Sequence, residues 1–210
     1  MNINEKLIDL LMQVDAETDE ENVAKLGDEI WSITDKISEG SDPDLVETLI
    51  RASNSKASTY FINNIVIALG NIATENAIQY LETIAEEYKA IDYGIHEKAK
   101  EVLAIINPTK YMSDLYSDTK YQIIRQKCKA SFSAEVMKII EGLTEGISLV
   151  NDMNMTMMWI ALDIDNLELC KYLLDRGVDM EHQNTFGETA LDYARKIDNT
   201  VASYLLYEYA

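Results

Sequence analysis

GETALDYA, residues 187–194, decides how this chain is read. Taken alone it is a glycine, a threonine placed to cap a helix, and a helical run of apolar residues. Shifted back by 33 residues, it finds an echo. Thr189 falls on Thr156, Ala194 on Ala161, Asp198-Asn199 on Asp165-Asn166, and Leu205-Leu206 on Tyr172-Leu173. Ile197 falls on Ile164 and Ala202 on Leu169, so the aliphatic pattern keeps step as well. Self-similarity at a fixed period marks a repeat architecture, in which each unit buries its apolar face against the next.

The two copies resemble the ankyrin repeat. That family starts its first helix with Thr-Pro-Leu-His-x-Ala, ends its second in Leu-Leu and follows with a Gly-Ala-Asp hairpin. TMMWIA (156–161) and TALDYA (189–194) stand at the first helix, and NLELCKYLLDRGVDMEHQN (166–184) reads as second helix and hairpin. The proline and histidine of the helix start are missing, and aspartate replaces glycine at the turn between helices. Those departures weaken the turns without undoing the assignment. A degenerate third unit precedes these two. SAEVMKIIEGLTEGISLVND (133–152) sets Glu135 and Lys138 in step with Glu168 and Lys171, then reaches a hairpin after an insertion of about three residues. YQIIRQKCKA (121–130) is its first helix, with Cys128 in the small-residue slot.

The N-terminal half has another rhythm. Apolar spacings of three and four predict helices over 3–14, 19–38, 43–53, 57–71, 75–90 and 94–106. Pro43 suits a first helical turn, and Asn107-Pro108 closes the last helix. STYFINNIVIALGNI (58–72), ENAIQYLETIAEEY (75–88) and GIHEKAKEVLAII (94–106) resemble HEAT-type repeats, chiefly through Ala68, Leu69, Gly70, Ala77, Ile78 and Leu81. The expected fold is therefore all-α: a curved helical-repeat solenoid with HEAT-like repeats followed by ankyrin-like ones. Its expected divisions are 1–107, HEAT-like with residues 1–40 as a cap; 108–120, a junction; and 121–210, about three ankyrin-like repeats.

Two prolines, eight glycines and a lack of period-two runs agree with an all-helical chain. No stretch of about 18 apolar residues offers a membrane span. The opening MNINEKLIDLLMQVDAETDEEN lacks a basic start and turns acidic too early for a secretory leader, so a cytoplasmic protein is expected. Cys128 and Cys170 lack metal-ligand spacing and sit in apolar patterns, which reads as two buried thiols. No phosphate loop, HExxH or GxSxG elbow occurs. DAETDEEN (15–22) lacks the glycine turn of a calcium loop. No catalytic residue, metal or cofactor is expected. His96, near a helix start, and His182, at a hairpin, read as exposed surface. Trp31, Trp159 and most of the twelve tyrosines read as core or edge.

The formal net charge is −19, with 21 acidic against 8 basic residues over 1–107 and 16 against 10 over 108–210. A field of that sign repels nucleic acid and anionic membrane and attracts basic partners. Solubility alone is the other explanation of it. The ankyrin resemblance implies that hairpin tips and the exposed side of the first helix recognise a protein partner. By motif position these are Asp152, Met153, Met155, Asp163 and Ile164 in one unit, and Thr185, Phe186, Glu188, Lys196 and Ile197 in the next. Apolar residues beside carboxylates make an adaptable surface, although Met153 and Met155 could equally pack on the preceding unit. The implied function is non-catalytic capture of a basic protein by a chain that is monomeric when free. Small acidic HEAT-like and ankyrin-like proteins occur among bacterial toxin-immunity proteins, and that resemblance implies a cationic toxin as partner. A structural adaptor or host-directed effector is the alternative. A HEAT-like DNA glycosylase is a minor one, because it needs a basic groove.

Overall fold

The computed structural model describes residues 3–34, 43–53 and 59–209. Among them every regular element is helical, and the one β-bridge, Val150 to Thr156, is isolated. The chain divides into two compact units, Met1–Asn107 and Pro108–Ala210.

The first unit contains α1 (Ile3–Ala16), α2 (Glu20–Thr34), α3 (Pro43–Ser53), α4 (Thr59–Ile72), α5 (Glu75–Tyr88) and α6 (Tyr93–Ile106). The expected extension of α2 to 38 and start of α4 at 57 lie outside the described residues, as do the surroundings of the Trp31 side chain. Local chemistry sets the ends of α5 and α6. Thr74 accepts from the Ala77 N–H at one start, and Asp92 accepts from Gly94 and Ile95 at the other. Asp92 also takes the Thr59 hydroxyl at 2.9 Å, tying α6 to the start of α4. On α5 the buried residues are Ala77, Leu81, Ile84 and Ala85, one helical stripe.

Helix α4 is different. Phe61, Ile62, Ile65, Val66, Ala68, Leu69 and Ile72 are all buried, too many for one stripe. A helix apolar on most sides must be enclosed, and α4 touches α1, α2, α3, α5 and α6. The unit is thus three consecutive helix pairs with the α3–α4 pair between the other two. Gly70 permits the closest approach: a Cβ built there would overlap Val102 Cγ1 of α6. Ala73, between α4 and α5, holds a left-handed φ of 50°.

His96 departs from its expected exposure. It is buried, with Nδ1 2.5 Å from the Ala85 carbonyl. The last carbonyls of a helix lack intrahelical partners, and His96 satisfies one at the end of α5. A carbonyl can only accept, so Nδ1 carries the hydrogen.

The second unit opens with the short α7 (Pro108–Tyr111), then runs through α8 (Ser117–Ala130), α9 (Ala134–Gly142), α10 (Met157–Asp163), α11 (Leu167–Asp175), α12 (Ala190–Lys196) and α13 (Thr200–Tyr209). Helices pair as α8–α9, α10–α11 and α12–α13; α10 meets α12, and α11 meets α13. Trp159 is buried, and so are both thiols. Burial pushes Cys128 up to about 12, and burial with Asp165 nearby pushes Cys170 up to about 11, so neither is a ready nucleophile.

Candidate protein-binding face of the second unit

The loops before α10 and α12 are built alike from residues 33 positions apart. Asn151 Oδ1 accepts from Met153 N–H at 3.0 Å and Met155 N–H at 2.9 Å. Asn184 Oδ1 accepts from Phe186 N–H at 2.9 Å and Glu188 N–H at 3.0 Å. Each turn needs a left-handed residue three positions later: Asn154 at φ 58° in one copy, Gly187 at φ 75° in the other. Asparagine tolerates that conformation and glycine adopts it freely. Thr156 then caps α10 through Met158 N–H, and Thr189 caps α12 in a full capping box with Asp192. The Thr189 hydroxyl and amide hold the Asp192 carboxyl below its usual range.

The turns at the far ends of α10 and α12 repeat as well. Asp165 at φ 52° and Asp198 at φ 56° occupy the left-handed position where the sequence lacks glycine. The Asn199 amide bridges to Asp165 at 2.9 Å.

Neighbouring loops are stitched together. Thr185 N–H donates to the Met153 carbonyl at 3.0 Å, and the Asn154 amide to the Gln183 carbonyl at 2.7 Å. Asp152 N–H reaches Asp118 of α8 at 3.4 Å. His182, half-buried rather than exposed, sets Nε2 2.9 Å from the Asn154 carbonyl. The second helices are joined by a separate cluster: Arg176 pairs with Glu141 at 2.6 Å and lies over the Tyr172 ring at 3.7 Å.

The ten candidate residues fall into two groups. Asp152, Met153, Met155, Thr185, Phe186 and Glu188 belong to the loops before α10 and α12. Asp163, Ile164, Lys196 and Ile197 close those helices, about 10 Å away along seven residues. Phe186 is 69% exposed and Met153 41%, so neither is absorbed by packing on the preceding unit, whereas Met155 is half-buried. Three of the charged candidates already have partners. Lys196 bonds Glu188 at 2.7 Å, which lowers the glutamate, with a further contribution from Asn184. Asp163 takes Arg125 Nε at 3.0 Å and its Nη2, and that bond raises the guanidinium further.

Arg125 was not among the candidates, nor was the cleft it helps to line. That cleft, about 180 Å³, is bordered by Tyr121 and Arg125 of α8, Met155, Trp159 and Asp163, and Tyr193 of α12. It spans α8, α10 and α12, the first helices of the three pairs. Arg125 pairs with Asp163 across 38 positions, whereas α8 and α10 end 33 positions apart. The α9–α10 connection is as long as the α11–α12 one, so the expected insertion is not there. The two side chains meet from non-equivalent places in their helices. A strict period could not find it.

Among the described residues, no group of three or more His, Cys, Asp or Glu side chains is placed to hold a metal, and no helix is long and apolar enough to cross a membrane. No curated protein and no solved structure matches the chain. Residues 159–202, from Trp159 in α10 into α13, match the family model described as ankyrin repeats (many copies), and the chain is an all-α protein with an ankyrin-repeat region.

Proposed function

We propose that this chain is a non-catalytic protein-binding module that captures a basic partner on the loop and first-helix face of its ankyrin-like unit. The observation that carries the reading is the pair of rigid loops that hold Phe186 and Met153 exposed beside carboxylates. Preorganised loops lose little freedom on binding, and exposed aromatic and methionine side chains supply the apolar contact that hot spots favour. The net charge of −19 draws a cationic protein in and speeds its capture.

The sharper form is an immunity protein that neutralises a cationic toxin in the cytoplasm, acting as a monomer when free. The three stacked pairs of Met1–Asn107 support reading that unit as HEAT-like. Its own charge of 21 acids against 8 bases adds to the attraction.

The test expresses the products of the genes that flank this one, takes any basic domain among them as bait, and measures binding at low and at high salt. Binding that weakens steeply with salt is expected. Phe186→Asp combined with Met153→Asp should weaken it about tenfold or more while helicity is kept. Salt-independent binding, or full binding by the double variant, would overturn the proposal.

A further inference from the structure

Trp159 is 3% exposed, and its indole Nε1 is buried with no hydrogen-bond partner in the protein. A buried donor left without an acceptor costs free energy comparable to a lost hydrogen bond, so such a group calls for a reason. No acceptor in the cleft it borders reaches it. Asn151 Oδ1 is committed to Met153 and Met155, and Asp163 Oδ2 to Arg125. The Tyr121 hydroxyl donates to the Thr156 carbonyl at 3.2 Å. Burial, with Asp163 adding to it, pushes that phenol well above its usual range, so it stays neutral.

Three features define what would complete the site. The need is for an acceptor, because an indole N–H can only donate. The volume, about 180 Å³, is that of a short stretch of chain and its side chain; an α-helix with side chains is about 10–12 Å across and does not fit. Exposed Asp152, next in sequence to the lining residue Asn151, donates its N–H to Asp118, one turn before Tyr121 on α8. This pair of carboxylates suits a positively charged segment. Met155, unbranched and half-buried, is the adaptable wall.

We propose that this cleft seats an extended segment of the basic partner, with a main-chain carbonyl of that segment accepting from Trp159 Nε1 once Met155 moves aside. The inference rests on the proposed function and adds the anchor point and the shape of what is bound. A flanking arginine or lysine of the segment faces Asp118 and Asp152, and an apolar side chain lies against Met155 and Tyr193.

The test selects a displayed random-heptapeptide library on the whole protein, then titrates the enriched peptides as synthetic compounds. Enriched sequences should carry arginine or lysine. The indole N–H resonance that disappears in Trp159→Phe should move downfield in the wild type on titration. Trp159→Phe should bind about three- to tenfold more weakly, the range expected for one hydrogen bond. Should that variant lose its helicity, the resonance in the wild type still decides. If basic peptides bind but the resonance stays still, or the folded variant binds them equally, this inference falls and the proposed function stands. If no peptide is enriched, this inference falls, and the proposed function is decided by the salt test alone.

Discussion

The two units solve the same problem, stacking helix pairs, with different chemistry. Met1–Asn107 relies on bulk: α4 is enclosed by apolar side chains, and Gly70 lets α6 close on it. Pro108–Ala210 uses shorter helices, two of them only seven residues, and repeats polar devices at loops and turns. Short helices gain little stability on their own, so caps and loop-to-loop hydrogen bonds carry more of the burden there. Apolar packing tolerates many residues of similar volume. A loop that needs one carbonyl oxygen for two amides tolerates few.

Substitutions can break that contrast. The largest effect is expected from Phe61→Ala in α4, about 3–5 kcal/mol of lost stability by urea denaturation, because it empties an enclosed site. Gly70→Ala should cost about 1–3 kcal/mol, since β-branched Val102 cannot fold away from the new methyl. In the other unit Asn184→Ala strips two amides of their acceptor at a buried position and should cost about 1–2 kcal/mol. If Asn184→Ala proves neutral, the polar loops are ornament and the contrast fails.

Smaller effects sharpen it. Ala73→Gly should raise stability by about 1 kcal/mol, because alanine there holds a left-handed φ. Acid should act on the second unit through Glu145, whose carboxyl the Lys120 ammonium at 2.8 Å holds below the usual range. A depressed carboxyl stabilises the fold above its ordinary titration range, and that stability is lost as pH falls through the folded value. Glu145→Gln should therefore lie below wild type in stability near neutrality and converge with it in acid, as read from thermal midpoints against pH.

What the sequence disclosed follows the same division. The echo of GETALDYA is legible because Thr156 and Thr189 cap, and Asp165 and Asp198 turn, in ways that few other residues can. The repeated Asn151 and Asn184 were in plain view at the same spacing, yet their role emerges only with the loop geometry. The burial of His96 depends on which carbonyl a neighbouring helix leaves open, and no local pattern records that. Arg125 and Asp163 meet from non-equivalent positions of their helices, which no repeat alignment brings together. Trp159 is core, as its apolar pattern implies; that its Nε1 lacks a partner is a property of the surroundings alone.

The most direct test of the binding face is amide hydrogen exchange on the complex with the captured basic partner. The expected result is slower exchange at 152–155 and 185–188, beyond that in the free chain, with little change across Met1–Asn107. Protection confined to Met1–Asn107, with those loops unchanged, would contradict the assignment of capture to the ankyrin-like unit.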